Sequence, residues 1–199
     1  MARSQDGLLV LARGIKAVVL DVDGVLTDAS LYYGPRGEAL KAFSARDGFA
    51  VRLAASEGIP VAVLSGRLAG PVKPRLADLG VPPELTVQGS RDKGADVADL
   101  AARLGLPLGQ IAFMGDDLPD LPALARVGLA ACPADAAPEV RERCRFVAAA
   151  PGGRGAVREL VRLLLVARGR WPQLVEEWAG GDGPQRFFRT APGRRTRRA

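Results

Sequence analysis

The chain has 199 residues, 48% of them hydrophobic, and its 28 Lys and Arg against 22 Asp and Glu give a net charge of +6. This length suits one ordinary domain with its own core, and no apolar run is long enough to cross a membrane, so we expect no membrane partner. The chain has no histidine. This excludes Ser-His-Asp triads, Cys-His dyads, zinc held by histidine and histidine phosphocarriers, so acid–base chemistry must use carboxylates or lysine.

The cysteines and the first residues bear on the compartment. Cys132 and Cys144 do not have the spacing of a metal or redox motif, so we expect two reduced thiols in a cytoplasmic protein. The segment 1–14 holds a short apolar patch with no small-residue cleavage site after it. We therefore expect no signal peptide.

Strands and helices alternate along most of the chain. Several strand candidates are continuous apolar runs, which is typical of strands buried on both faces. The predicted strands are Lys16–Leu20, Pro60–Leu64, Leu85–Val87, Gln110–Met114, Val127–Ala130 and Arg145–Val147. The predicted helices span residues 48–57, 68–79, 92–104, 119–126, 136–143 and 155–168. This alternation predicts a Rossmann-like α/β fold, with a parallel sheet and helices on both of its faces.

Two segments depart from this alternation. Residues 30–43 contain two short strand-like arms around a Gly-Pro-Arg-Gly turn, which predicts an inserted β-hairpin. From about Gly180 the chain lacks periodicity and is rich in Gly, Pro and Arg. We therefore expect one globular domain over 1–169 and a basic, flexible tail over 170–199. The tail carries a net charge of +4, so the domain itself carries only +2.

Two aspartates follow the first predicted strand, in the stretch "DVDGVLTD". Residues two apart on a strand face the same way, so Asp21 and Asp23 can converge at the carboxyl end of the strand, where α/β sheets bind ligands. Their charges repel unless a cation lies between them, and oxygen ligands alone favour magnesium, Mg²⁺. A single Asp at such a place is more often a helix N-cap or turn residue. The full Asp-x-Asp-Gly pattern favours a site, because Gly24 permits a sharp turn of the backbone.

A second group of acids follows the predicted strand at 110–114. Here Gly115, Asp116 and Asp117 come directly after the apolar run, and Asp120 follows. Two strands of one parallel sheet that end in carboxylates can supply one metal site. The alternative is that these acids cap the next helix, a role that suits Asp117 in particular.

Phosphate-binding candidates lie between the two acidic groups. In "AVLSGR" the strand ends in Ser65, Gly66 and Arg67, whose hydroxyl, backbone N–H and guanidinium can hold phosphate oxygens. Lys93 lies near the start of a predicted helix, and a lysine beside helix N-terminal amides makes an anion site. A lone lysine is usually a solvated surface residue. Lys93 is a candidate because it lies between the Ser-Gly-Arg motif and the second acidic group.

These motifs, in this order, resemble those of the haloacid dehalogenase-like phosphatase superfamily. More specifically, the chain is similar to the 3-deoxy-D-manno-octulosonate 8-phosphate phosphatase family, through "DVDGVLTD", "FSARDG", "SGR", "GDDLPDLP" and "GGRGAVRE". The resemblance covers roughly residues 8–168. It implies an enzyme without a large cap domain, and the short interval between Asp28 and Ser65 agrees with that.

The resemblance implies roles for the acids. Asp21 would be the nucleophile that forms an aspartyl-phosphate, and Asp23 would protonate the leaving alcohol and then activate water. Mg²⁺ would lie on the Asp21 carboxylate, the Asp23 main-chain carbonyl and Asp116. Metal ligation would keep Asp21 ionised while the Asp23 side chain stays free, which explains why two neighbouring aspartates are needed.

The resemblance also implies roles for the remaining motif residues. Ser65, Gly66 and Lys93 would hold the phosphoryl group that is transferred. Asp117 and Asp120 would orient Lys93 and the waters on the metal.

A phosphorylated sugar acid is the substrate that the resemblance implies, with hydrolysis of 3-deoxy-D-manno-octulosonate 8-phosphate in lipopolysaccharide biosynthesis as the reaction. Arg67, Arg75 and Arg46 are the candidates to meet the sugar carboxylate or hydroxyls. Relatives that act on sialic-type 9-phosphate sugar acids tend to have Glu where Arg67 stands, so Arg67 favours the octulosonate, with the sialic-type substrate as the alternative. A homotetramer built through the hairpin is also implied, against a simple monomer.

Two hypotheses of other kinds compete with an enzyme. A regulatory or nucleic-acid-binding module would use the Arg-rich tail and its nearby aromatic residues, but no recognition fold accompanies them, and we expect no nucleic-acid partner. A degenerate relative would also usually lose Asp21, Asp23, Lys93 or Asp116, and all four are present. A receiver domain uses a strand-end Asp with Mg²⁺, but its acidic pair normally precedes that Asp on another strand.

Overall fold

The computed structural model describes residues 2–35, 37–183 and 187, with only the backbone of residues 2–5. The strands are β1 (Ala17–Leu20), β2 (Tyr32–Gly34), β3 (Gly37–Leu40), β4 (Val61–Ser65), β5 (Thr86–Gln88), β6 (Ile111–Met114), β7 (Leu129–Cys132) and β8 (Phe146–Val147). The helices are α1 (Ala2–Gly14), α2 (Ala45–Ser56), α3 (Val72–Leu79), α4 (Lys93–Arg103), α5 (Leu121–Leu124), α6 (Pro138–Arg141), α7 (Ala156–Ala167) and α8 (Trp171–Ala179). Among the described residues, no helix combines the length and hydrophobicity that a membrane crossing needs.

Six parallel strands form the central sheet, in the order β5-β4-β1-β6-β7-β8. Strand β1 lies between β4 and β6, with Val19 opposite Ala62 on one side and Phe113 on the other. The chain runs from β1 outward to β5 and then returns to the opposite side of β1 at β6. The strand order therefore reverses next to β1, and ligands of open α/β sheets bind at the carboxyl ends of strands at such a point.

The strands are apolar on both faces because helices cover both. Val18 and Leu20 face a core built with α1, α2, α3, α7 and α8, whereas Ala17 and Val19 face a core built with α4, α5 and α6. All four residues of β1 are completely buried. The predicted parallel sheet with helices on both faces is confirmed.

The predicted hairpin is present as β2 and β3, a separate antiparallel pair. Tyr33 lies opposite Glu38, and Tyr32 lies opposite Leu40, with a shift of register between Tyr32 and Tyr33. The hairpin follows closely on β1 and its acidic loop, so it stands at the carboxyl edge of the sheet, where the candidate site lies.

Helix α3 begins at Val72, four residues later than the sequence predicts. Pro71 takes the N-cap position, and Pro74 is the third residue of the helix. A proline in the first turn removes no intrahelical hydrogen bond, so Pro74 leaves the helix intact.

Helix α1 was not predicted, because its sequence showed only a short apolar patch. It packs against α7, and two hydrogen bonds join the C-terminal ends of the two helices. Arg13 Nε donates to the carbonyl of Ala167 at 2.9 Å, and Arg168 Nη2 donates to the carbonyl of Ile15 at 2.7 Å.

Helix α8 also was not predicted, and it lies within the segment expected to be a flexible tail. The ring of Trp178 packs edge-on against Phe49, with centroids 5.1 Å apart, so packing onto the core continues past the expected boundary of the domain. Most of the rest of the predicted tail, residues 184–186 and 188–199, lies outside the described residues.

Candidate active site

The carboxyl ends of β4, β1 and β6 meet at one edge of the sheet, and each leads into polar residues. Asp21 directly follows β1, and its N–H donates to the carbonyl of Met114 at the end of β6, at 3.0 Å. Ser65 is the last residue of β4, and Gly115 and Asp116 follow β6. The strand order therefore brings residues from three distant segments together.

The loop after β1 turns sharply at Gly24. Residues Val22–Leu26 form one wide helical turn, and Gly24 has φ of +88°, a conformation that favours glycine. A Cβ on Gly24 would lie 2.0 Å from Asp116 Oδ2, and a Cβ on Gly152 would lie 1.9 Å from the carbonyl oxygen of Gly24. The loop is therefore held between the Asp116 carboxylate and the glycine-rich turn before α7. The first glycine of the "GGRG" motif has no room for a side chain, because the backbone of the loop lies against it.

Asp21, Asp116 and Asp120 form a cluster of carboxylates. Each offers an oxygen within 4.8 Å of the others, and Asp21 and Asp120 are only 5% and 1% exposed. Burial, together with the charge of Asp120, raises the pKa of Asp21 to about 7. Burial and the charges of Asp120 and Asp21 raise the pKa of Asp116 to about 8. Both pKa shifts indicate that the positive charge near these carboxylates does not offset their burial and mutual repulsion.

Lys93 supplies one positive charge to this cluster. It is the first residue of α4, which Asp92 caps by accepting a hydrogen bond from the N–H of Ala95 at 3.0 Å. The ammonium lies 2.9 Å from Asp21 Oδ1 and 2.5 Å from Asp120 Oδ1. Burial opposes the charge of Lys93, but Asp21 and Asp120 outweigh it and raise the pKa above its ordinary value. One ammonium does not neutralise three carboxylates.

Asp120 holds the loop after β6. Its Oδ2 accepts hydrogen bonds from the N–H groups of Asp116 at 2.8 Å and Asp117 at 3.2 Å, while its Oδ1 binds Lys93. The side chain of Asp117 accepts from the N–H of Leu118 at 2.7 Å, the capping role that was the alternative for this residue. Both carboxylates are thus engaged with the protein, which leaves Asp21 and Asp116 to face a ligand.

The turn after β4 lies beside Lys93 and forms a further part of the candidate site. Ser65, 2% exposed, accepts from the N–H of Arg67 and donates to its carbonyl, both at 3.2 Å. A Cβ on Gly66 would lie 3.8 Å from Lys93 Cε. A hydroxyl, a glycine backbone and an ammonium therefore lie side by side, an arrangement that suits an anionic ligand.

Carboxylate oxygens without a hydrogen-bond partner indicate what else the site can hold. Asp21 Oδ1, apart from its ion pair with Lys93, and Asp23 Oδ2, apart from its ion pair with Arg67, are buried and make no hydrogen bond within the described chain. Such oxygens are costly to bury unless a further positive group binds there. The donors around Asp21 and Asp116 are all oxygen, which fits a hard divalent cation such as Mg²⁺.

The hairpin supplies three side chains that were not predicted from the sequence, those of Tyr33, Glu38 and Lys41. Lys41 Nζ contacts Asp23 Oδ1 and lies 2.5 Å from Glu38 Oε1. Arg67 Nη2 donates to Glu38 Oε2 at 3.0 Å and to the hydroxyl of Tyr33 at 3.2 Å. The only signal was the position of the hairpin directly after the acidic stretch.

The three candidate arginines lie in different places. Arg67 Nε is 3.7 Å from Asp23 Oδ2, and its side chain is 42% exposed. Arg75 on α3 forms an ion pair with Asp78 on the same helix at 2.8 Å, and Arg46 is exposed in the first turn of α2. Within the described chain, Arg67 is the one of the three that forms an ion pair with an acidic residue of the candidate site, Asp23.

Comparison of the sequence with known proteins gives a consistent result. A family model described as haloacid dehalogenase-like hydrolase matches residues 84–159. The chain is 42% identical over 163 residues to 3-deoxy-D-manno-octulosonate 8-phosphate phosphatase KdsC of Escherichia coli K12, covering 82% of this chain and 86% of that protein.

Solved structures agree with the sequence comparison. The 3-deoxy-D-manno-octulosonate 8-phosphate phosphatase of Yersinia pestis is 39% identical, with a TM-score of 0.80 over 83% of this chain and 88% of that one. The phosphatase of the same name from Moraxella catarrhalis, solved with magnesium ion, phosphate ion and KDO, is 31% identical, with a TM-score of 0.82 over 87% of this chain and 98% of that one. The chain therefore belongs to the 3-deoxy-D-manno-octulosonate 8-phosphate phosphatase family of haloacid dehalogenase-like hydrolases.

Proposed function

We propose that this chain is a Mg²⁺-dependent phosphomonoesterase that hydrolyses 3-deoxy-D-manno-octulosonate 8-phosphate to the free sugar acid and inorganic phosphate. The observation that carries the proposal is the ammonium of Lys93, buried between Asp21 and Asp120 at an edge that remains rich in carboxylates. Such an edge can bind a metal cation and a phosphate together. The substrate is supported by membership of the family and by the Moraxella catarrhalis relative solved with magnesium, phosphate and KDO.

The Asp21 carboxylate, the main-chain carbonyl of Asp23 and the Asp116 carboxylate would hold Mg²⁺. When bound, the ion supplies positive charge beside the phosphoryl oxygens and favours the ionised form of Asp21. The carboxylate of Asp116 is fixed for this role by its contact with the backbone of Gly24 and by the hydrogen bonds that Asp120 makes to its loop.

The reaction uses two neighbouring carboxylates in different roles. An oxygen of Asp21 attacks phosphorus, the bond between phosphorus and the sugar oxygen breaks, and Asp23 gives its proton to that oxygen. Asp23 then takes a proton from water, whose oxygen attacks the phosphorus of the aspartyl-phosphate. The bond to Asp21 breaks, and inorganic phosphate leaves.

The phosphoryl group would be held by the turn after β4 and by Lys93, which lies next to the acids. The hydroxyl of Ser65, the N–H of Gly66 and the ammonium of Lys93 would bind its non-bridging oxygens and stabilise the charge on them in the transition state. Asp120 positions Lys93, and Asp117 caps the turn that carries Asp120.

The sugar part of the substrate would lie under the hairpin. Arg67, partly exposed and next to Asp23, would meet the carboxylate or the hydroxyls of the sugar acid. For Arg75 and Arg46 the support is the family resemblance alone.

We also propose a cytoplasmic homotetramer in which a neighbouring subunit helps to close each site. The segment around the hairpin exposes four large apolar or aromatic side chains, with exposed fractions of 41% for Leu31, 46% for Tyr32, and 66% for both Tyr33 and Leu40. A patch of this kind favours contact with another protein surface. Both cysteines are free thiols, in keeping with a reducing compartment.

The proposed function is tested by Mg²⁺-dependent phosphate release from a small set of substrates. The set contains 3-deoxy-D-manno-octulosonate 8-phosphate, a sialic-type 9-phosphate sugar acid, hexose phosphates and p-nitrophenyl phosphate, with Asp21→Asn as the control. We expect the highest kcat/KM for the octulosonate and loss of release in the variant. A clear preference for the 9-phosphate would contradict the substrate, and no Mg²⁺-dependent release from any of them would contradict the activity.

A further inference from the structure

Four charged side chains form a closed ring over the loop after β1. Lys41 Nζ contacts Asp23 Oδ1 and lies 2.5 Å from Glu38 Oε1. Arg67 Nη2 lies 3.0 Å from Glu38 Oε2, and Arg67 Nε lies 3.7 Å from Asp23 Oδ2. Two cations thus alternate with two carboxylates, and their charges cancel. The ring ties the hairpin to the loop after β1 and to the turn after β4.

The two cations of the ring differ in how firmly they are held. The side chain of Lys41 is completely buried, whereas that of Arg67 is 42% exposed. An ammonium buried between two carboxylates exchanges its partners for water less readily than an exposed guanidinium does. Lys41 is therefore the fixed contact of Asp23, and Glu38 is the second carboxylate that keeps Lys41 in place.

The two oxygens of Asp23 are also in different situations. Oδ1 is bound by Lys41, whereas Oδ2 is buried and makes no hydrogen bond to any described residue. The terminal torsion of an aspartate is soft, so without a fixed partner either oxygen could face the substrate. The contact with Lys41 selects one orientation.

We propose that Lys41 is the residue that positions Asp23 for proton transfer. By holding Oδ1 it leaves Oδ2 as the oxygen that gives a proton to the leaving alcohol and later takes one from water. This inference rests on the proposed function, which gives Asp23 the acid–base role. Lys41 acts through Asp23 and needs no contact with the substrate.

The test compares two leaving groups in Lys41→Met, Lys41→Arg and the control Lys73→Met, which removes an exposed lysine from α3. The value of kcat/KM reports on the steps up to departure of the leaving group. For octulosonate 8-phosphate, a poor leaving group, we expect Lys41→Met to lower kcat/KM by about 10- to 100-fold, through kcat. For p-nitrophenyl phosphate, whose leaving group departs without a proton, we expect a loss of less than about threefold. Lys41→Arg should recover most of the activity, and Lys73→Met should match the wild type.

A second variant protects the test against simple misfolding. Lys41→Met removes one of the two cations that contact Glu38 and leaves it with the exposed Arg67 alone. The double variant Lys41→Met/Glu38→Gln therefore removes both charges. A rise in Tm on adding Mg²⁺ shows that Asp21 and Asp116 are still in place. If the folded, Mg²⁺-binding variants keep the wild-type kcat/KM for the octulosonate, or lose it equally for both substrates without recovery in Lys41→Arg, the role of Lys41 is overturned. Full activity of Asp23→Asn would instead overturn the acid–base role on which the inference rests.

Discussion

The carboxylate of Asp116 lies where a side chain on Gly24 would begin, because a Cβ there would be 2.0 Å from Asp116 Oδ2. We predict that Gly24→Ala displaces Asp116 and weakens Mg²⁺ binding by about 10- to 100-fold, with a matching loss of activity. Isothermal titration with Mg²⁺ measures this directly. Gly7→Ala is the control, since a Cβ at Gly7 meets nothing within 4 Å. A Gly24→Ala protein that binds Mg²⁺ like the wild type would contradict the arrangement.

The acid cluster predicts how stability depends on pH. Without metal, the pKa values of Asp21 and Asp116 are raised to about 7 and about 8, so the folded protein binds these protons more tightly than the unfolded chain does. The free energy of unfolding should therefore fall as pH rises from about 4 through 8. In EDTA we expect a lower Tm at pH 8.5 than at pH 5.5.

Added Mg²⁺ should reverse this loss. At pH 8.5, where the ligands are ionised, we expect a larger rise in Tm than at pH 5.5, where protons compete with the metal. Asp116→Asn, which removes one of the raised groups, should flatten the pH dependence in EDTA and reduce the gain from Mg²⁺. A metal-free protein that is more stable at pH 8.5 would show that the cluster is not short of positive charge.

Lys93 is predicted to serve both the fold and the reaction. Lys93→Met removes the ammonium that lies between Asp21 and Asp120, which leaves buried carboxylates unpaired at a cost of about 3 kcal/mol or more. We expect a lower Tm without metal, and a fall in kcat of about 100- to 1,000-fold with Mg²⁺ present. Thermal unfolding and phosphate-release assays measure the two effects. A variant that keeps more than a tenth of the wild-type kcat would remove Lys93 from the phosphate site.

Asp47 of the "FSARDG" motif is predicted to be a structural residue. It is 1% exposed and accepts hydrogen bonds from the N–H groups of Gly155 and Arg158, both at 2.9 Å, at the start of α7. Asp47→Ala should lower the free energy of unfolding by about 2 kcal/mol, measured by urea titration. Asp99→Ala, which removes an exposed side chain, should change it by less than about 0.5 kcal/mol. An equal effect of the two would contradict this role.

The hairpin is predicted to carry the contact between subunits. Leu40 is 66% exposed, and Leu40→Arg places a charge in the apolar patch, which should break the proposed tetramer into smaller species. Sedimentation velocity gives the mass, and Val10→Arg on α1, where Val10 is 73% exposed, is the control. A wild-type protein that sediments as a monomer would contradict the assembly, and a Leu40→Arg tetramer would contradict the role of the hairpin.

The acidic part of the site could be predicted from the sequence because each acid follows an apolar strand. Buried parallel strands present their carboxyl ends at one edge, so Asp21 after β1 and Asp116 after β6 had to lie near each other if β1 and β6 were neighbours. In the structure β1 and β6 are neighbours. The chemical roles of these residues stay predictions.

The rest could not be predicted, because it depends on tertiary contacts. Lys41 meets Asp23 across 18 residues of chain, and Arg67 meets Glu38 across 29, and no local pattern encodes such pairs. Helix α8 is short, and short helices owe their stability mainly to packing. Its Trp178 packs on a ring from α2, a contact that only the fold creates.

We predict that Asp21 carries the phosphoryl group during the reaction. The most direct measurement is a rapid-quench single turnover of octulosonate 8-phosphate with Mg²⁺, followed by borohydride reduction and peptide mass spectrometry. Reduction converts an aspartyl-phosphate to homoserine, and we predict that conversion at position 21 alone, with none in Asp21→Asn. Homoserine at another aspartate, or phosphate release with no labelled residue at any time point, would contradict the account.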